Sequence, residues 1–140
     1  MLFAGLPEPV RRLRSLALFA SCTVHELRQV DRLATAMNVP RGHILCRRGD
    51  VGHECFVIVE GEVDVAFEDH HLVVGAGTIV GEIALLTPRG RRTATIAAKT
   101  DTKLLVFTRT EFGRLINTCP SVAHKIVRES ARRLIEDIYR

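Results

Sequence analysis

Between Met37 and Phe107 the chain is punctuated so often that no long helix fits, and this punctuation constrains the fold more than any other feature. Glycine-bearing turns are read at Arg41-Gly42, Gly49-Asp50, Glu60-Gly61 and Gly75-Ala76-Gly77, each a place where the chain reverses cheaply. The segments between them carry strand periodicity. Val63, Val65 and Phe67 alternate with Glu62, Asp64 and Glu68, and Ala94, Ile96 and Ala98 alternate with Thr93, Thr95 and Ala97. A period of two places one set of side chains on each face of a sheet. Parallel βαβ units need crossover helices, and there is no room for them here, so the strands must pair antiparallel in a sandwich or jelly roll.

Helical patterns flank this region. Thr23-Val24-His25-Glu26 fits a capping box, predicting a helix from about Val24 to Ala36 with Leu27, Val30, Leu33 and Ala34 inward. Upstream, Val10, Leu13, Ala17 and Ala20 fall on one face of an amphipathic helix. A second capping box, Thr108-Arg109-Thr110-Glu111, opens a helix carrying Phe112, Leu115 and Ile116. Cys119-Pro120 ends it, and Pro120 suits the first position of a final helix reaching about Tyr139. Val127, Ala131, Leu134 and Ile138 recur along that helix at coiled-coil spacing, a stripe that packs either on the barrel or on a second copy. The expected fold is therefore α+β: one domain over residues 1–140. It has a helical N-terminal segment (7–36), an antiparallel β jelly-roll barrel (37–107) and two C-terminal helices (108–140).

The totals exclude several classes. At 140 residues, with 46% hydrophobic and 26% charged residues, the chain has the balance of a globular protein and none of the signs of disorder. The net charge of +4 comes almost wholly from dispersed arginine, since Lys99, Lys103 and Lys125 are the only lysines, and such a spread reads as solvated surface. The four cysteines, Cys22, Cys46, Cys55 and Cys119, form no CxxC pair, so free thiols in a reducing compartment are expected. No apolar run approaches the roughly 18 residues that a membrane span needs. Prolines and Glu8 interrupt the N-terminus where a signal peptide requires an apolar core. A cytoplasmic location without membrane contact is expected.

The chemistry concentrates in GEIALLTPRGRRTATIAA, residues 81–98. Pro88 allows Ile83-Ala84-Leu85-Leu86 about one turn of helix, whose free backbone N–H groups make an anion site. Gly81 has no Cβ to keep a ligand from the backbone. An arginine returning across the turn forks onto two phosphate oxygens. Glu82, acceptor-only when ionised, would repel phosphate but suits the hydroxyls of a ribose. These parts on one loop describe a nucleotide site.

GEIALL followed by Arg92-Thr93-Ala94 resembles the phosphate-binding cassette of the cyclic nucleotide-binding domain family. That fold is shared by the catabolite activator protein, protein kinase A regulatory subunits and cyclic-nucleotide-gated channels. Arg48-Gly49-Asp50 and Phe56 to Val63 resemble the family's glycine-punctuated early strands, and Thr108 to Ile116 and Pro120 to Leu134 its C-terminal helices. The resemblance implies a cassette over residues 81–95, in which Glu82 holds the ribose 2′-hydroxyl and Arg92 the cyclic phosphate. Backbone amides around Ala84 and Leu85 and the Thr93 hydroxyl complete the phosphate shell. The ligand-binding set is thus Gly81, Glu82, Ile83, Ala84, Leu85, Arg92 and Thr93. Five residues separate Leu86 from Arg92, where many family members have four, which leaves Arg91 as a rival; Arg92 is favoured because it directly precedes Thr93-Ala94. Purine contacts are implied from strands and the final helix, where Arg128, Ser130 and Arg132 offer no clear choice.

The expected function is a non-enzymatic sensor that binds cyclic AMP, with cyclic GMP as the alternative ligand, and needs no cofactor. Its C-terminal helices transmit binding: Leu85 meets the Phe112 helix, and the last helix swings over the base. A metal-dependent cupin shares the architecture, but adjacent His70 and His71 point to opposite faces of a strand. DNA-binding relatives add a helix-turn-helix after the last helix. The sequence ends at Arg140, so no nucleic-acid partner is expected. The alternatives are a docking or dimer module that has lost its ligand, and the regulatory piece of a larger channel, transporter or transcription regulator. A homodimer would use Val127, Ala131, Leu134 and Ile138.

Overall fold

In the computed structural model of the chain, residues 7–86 and 88–138 are described, Asp137 and Ile138 by their backbone alone. Helices α1 (Glu8–Ser15) and α2 (Val24–Leu33) precede eight strands: β1 (Thr35–Val39), β2 (Ile44–Cys46), β3 (Glu54–Glu60), β4 (Glu62–Ala66), β5 (His71–Gly75), β6 (Ile79–Val80), β7 (Thr95–Ala98) and β8 (Thr102–Thr108). Helices α3 (Arg109–Thr118) and α4 (Pro120–Ile138) follow. The strands form two four-stranded sheets, ordered β1-β8-β3-β6 and β2-β7-β4-β5, with every pairing antiparallel. The jelly roll is an open sandwich of two sheets, and no pairing among the described residues closes it into a barrel.

Two cores explain two sequence patterns. Phe56, Ile58, Val80, Leu104 and Val106 from the first sheet meet Val63, Val65, Ile96 and Ala98 from the second. The outer face of the first sheet, with Cys55, Val57, Ile79 and Phe107, packs under the helices against Leu27, Phe112, Leu115, Val122 and Ile126. β3 is buried on both faces, so its sequence Cys55-Phe56-Val57-Ile58 is continuously apolar. β4 and β7 have one inward face and alternate as their sequences predict.

Both capping boxes form. Thr23 and Glu26 exchange side-chain-to-backbone bonds across the first turn of α2, as Thr108 and Glu111 do across that of α3. Elsewhere the helical expectations are corrected. α1 stops at Ser15 and gives way to a 3₁₀ turn, Ala17–Phe19, so Leu16, Leu18 and Phe19 are buried while Ala17 and Ala20 are exposed. Larger apolar area decides which side chains turn inward. α2 stops at Leu33, because Ala34 is already extended and Thr35 pairs with Val106 of β8. The sheet thus begins two residues before Met37. Along α4, Val127 and Leu134 are exposed with Ala131, and Ile135 joins them; the side chain of Ile138, and Tyr139, lie outside the described residues. Among the described residues no helix is long and apolar enough to cross a membrane.

Candidate functional site

The cassette begins at Gly81, whose φ of +80° belongs to the left-handed region. A Cβ there would also lie 2.7 Å from the Arg92 guanidinium. The glycine is therefore required by backbone conformation and by the arginine, where the sequence suggested only room for a ligand. Ile83–Leu85 form a single 3₁₀ turn. Leu85 N–H donates to Glu82 O and Leu86 N–H to Ile83 O. The Leu85 amide, expected to face an anion, is thus committed inside the turn. The N–H groups of Ile83 and Ala84 have no backbone carbonyl partner among the described residues.

Arg92 is held from both sides. Its N–H donates to Asp50 O and its C=O accepts from Gly49 N–H, which pins this segment against the 49–52 turn. The side chain is only 5% exposed. Its Nη1 donates to Gly81 O at 3.0 Å, and its guanidinium carbon lies 5.9 Å from the Phe56 ring centroid. Among the described residues no carboxylate pairs with it. A Cβ at Gly52 would lie 2.5 Å from Ala84 Cβ and 3.1 Å from Arg92 Cζ, so this glycine, which sequence reading passed over, admits the cassette and the guanidinium together. Arg91 is exposed and donates to Gly49 O, and Arg89 is also exposed. Thr93 is exposed, at the rim of a cavity that Glu82 and Arg92 also line.

Glu82 is 1% exposed and does not cap its turn. Ser130 Oγ donates to its Oε1 at 3.2 Å, and Arg133 Nη1 donates to the same oxygen at 3.2 Å. Arg133 also donates to Ile79 O and pairs with Glu129 one turn back. The last helix therefore already lies over the site and grips its carboxylate. Of the helix residues considered from sequence, Ser130 is in the site, whereas Arg128 and Arg132 line a separate surface groove. Arg133 was missed. Its three-residue spacing from Ser130 would have flagged it, since such residues share a helix face.

The cavity between these groups is lined by Cys46, Val65, Phe67, Val80 and Ile96 on the strand side and by Glu82, Arg92, Thr93 and Arg133 on the polar side. Its volume is about 30 Å³. Sites for small organic ligands run to roughly 300–1,000 Å³, so this conformation is closed on itself. Burial pushes the Glu82 carboxyl above the usual carboxylate range, while Arg133, its own backbone N–H and Ser130 pull it back. Leu85 is buried in the same core cluster as Phe112 and Leu115.

An open jelly-roll sandwich carrying this cassette, with helices folded over it, defines a class of ligand-binding regulatory domain. The chain belongs to the cyclic nucleotide-binding domain family, whose model matches residues 36–119. A cyclic nucleotide-gated potassium channel of Rhizobium etli is 34% identical over 95% of this chain and 40% of the channel. A channel of the same description from Mesorhizobium japonicum is 32% identical over 94% of this chain and 39% of the channel. The crystal structure of the Thermus thermophilus catabolite activator protein superposes with a TM-score of 0.74 at 28% identity, covering 87% of this chain and 60% of that one. The chain thus spans about two-fifths of the length of these two channels.

Glu82 supplies a pH test. The folded protein holds the Glu82 proton more tightly than the unfolded chain, so ionising this group costs stability. The sign follows: stability falls as pH rises from the ordinary carboxylate value through the raised folded one. Relative to Glu82→Gln, the wild type should lose thermal stability as pH rises above the ordinary carboxylate value of about 4. Melting curves for both proteins as pH rises from there check this, and a constant gap between them would contradict it.

Proposed function

We propose that this domain binds a cyclic nucleotide, cyclic AMP in preference to cyclic GMP, and reports binding through α3 and α4 without catalysing a reaction. One observation carries the reading: the Arg92 guanidinium is 5% exposed with a single carbonyl partner and no carboxylate among the described residues. A buried charge without a counter-charge is costly. A cyclic phosphate, bound bidentately and backed by the N–H groups of Ile83 and Ala84, meets that need. The ribose 2′-hydroxyl donates to Glu82 and takes the place of Arg133. Thr93 lies beside the phosphate. The base lies against the apolar side chains of Val65, Phe67 and Ile96, which suit adenine, with an amino group alone to satisfy, better than guanine, with a ring N–H and an amino group.

Because the cavity holds about 30 Å³, the ligand enters only as α4 shifts, and the Arg133–Glu82 contact is what it displaces. Binding and helix position are then two sides of one equilibrium. The reading places the domain in the cytoplasm, where cyclic nucleotides act, and makes it the sensor of a larger protein such as a channel. The exposed stripe of Val127, Ala131 and Leu134 is where a second copy packs in this reading; sedimentation velocity showing only monomer at tens of micromolar would remove that part.

Calorimetric titration tests the core of the proposal. Arg92→Ala should weaken cyclic AMP binding tenfold to a hundredfold, about 1.4–2.8 kcal/mol, and Arg91→Ala by less than about threefold. Wild type should bind 2′-deoxy cyclic AMP and cyclic GMP more weakly than cyclic AMP. No binding heat with wild type at millimolar cyclic AMP would overturn the function, and a larger loss at Arg91 would overturn the assignment of the phosphate arginine.

A further inference from the structure

Arg109 occupies the first position of α3, where a cation is electrostatically unfavourable because the helix dipole is positive there. Its contacts explain its presence. Nη2 donates to Gly52 O and Ala84 O, both at 3.1 Å, and Nη1 donates to Leu85 O at 3.2 Å. Two of these carbonyls close the cassette turn. In a continuing 3₁₀ turn Leu85 C=O would accept from residue 88, but Pro88 has no N–H. The turn thus ends on a carbonyl that the 3₁₀ pattern leaves without its donor, and the guanidinium supplies one. The third carbonyl belongs to Gly52, the residue packed against Ala84 and Arg92. The Arg109 N–H also donates to His53 O, so side chain and backbone together fasten α3 to the 52–53 segment.

We propose that Arg109 is the positioning residue that holds the cassette in register with Arg92 and carries cassette movement to α3. The coupling half of this inference rests on the proposed function; the clamp half does not. Leu85 packs with Phe112 and Leu115, but an apolar contact is non-directional and tolerates sliding. Three hydrogen bonds from one planar guanidinium fix direction as well as distance. Movement of Ala84 and Leu85 is therefore transmitted to the first residue of α3. Gly52, whose carbonyl shares Nη2 with that of Ala84, moves with them or loses its bond.

Amide hydrogen exchange on the full chain tests both halves. Without nucleotide, Arg109→Met removes the donors and keeps the bulk. Exchange in residues 83–86 should accelerate by tenfold or more while β4 and β7 keep wild-type rates. Arg109→Lys, with a point charge that reaches fewer carbonyls, should fall between. Wild-type cassette rates in the Met variant would overturn the clamp. If the Met variant does not fold, the Lys variant decides by the same criterion. With saturating cyclic AMP, the wild type should change protection in residues 109–118. The Met variant should show that change several-fold reduced while its cassette still becomes protected, a split that general loosening does not produce. An α3 response equal to wild type in the variant would overturn the coupling. Absence of any cyclic AMP effect on the wild type would instead count against the proposed function and the coupling that rests on it, leaving the ligand-free comparison to decide the clamp.

Discussion

A guanidinium withdrawn from water has to be given a counter-charge or enough polar contacts, and the Arg92 end of this domain is arranged around that demand. Gly81 and Gly52 are glycines because a Cβ at either would press on Arg92, on the neighbouring Ala84 or on both. The 49–52 turn hydrogen-bonds with residues 90–92 and fixes where the side chain starts. Phe56 supplies an aromatic ring beside the guanidinium, and Gly81 O accepts one bond. No partner among the described residues neutralises the charge. Under the proposed function, this arginine, held by glycines and an aromatic ring and short of a counter-ion, is preorganised for the phosphate that arrives from outside.

Glu82 poses the converse problem and solves it internally. Its carboxylate is buried deep enough for desolvation to dominate its titration, and α4 answers with Ser130 and Arg133. The two charges of the cassette are thus unequal: one is satisfied by the final helix, the other waits. That inequality gives α4 a resting position defined by a specific contact, the one that a ligand hydroxyl replaces in the proposed function. A cavity of about 30 Å³ under the helix is the geometric form of the same statement.

Much of this was legible in the sequence, for physical reasons. Capping boxes at Thr23 and Thr108 are local chemistry, and both formed. Val63, Val65, Ala94, Ile96 and Ala98 face inward because strand periodicity leaves them no other side. Glu82 and Arg92 stand out because one short loop carries both, and the structure buries both beside one cavity. What escaped depends on contacts distant in sequence. Leu16, Leu18 and Phe19 displace Ala17 and Ala20 from the core through a 3₁₀ turn that no helical wheel anticipates. Thr35 becomes strand because β8 lies beside it. Gly52 carries no local signal, and what demands it is the packing of Ala84 and Arg92 against it. Arg133 was hidden among arginines, since the rotation of α4 about its axis chooses between it and Arg132.

The central claim is that ligand occupancy and the Arg133–Glu82 contact are alternatives, so binding moves α4. The most direct measurement is a distance between spin labels on Ile135 of α4 and Glu68 beyond the end of β4, both exposed, recorded with and without saturating cyclic AMP. The account predicts a resolved shift of several ångströms on binding, because a cavity of about 30 Å³ cannot admit a nucleotide with α4 in place. An unchanged distance in a sample that calorimetry shows to be fully bound would contradict it.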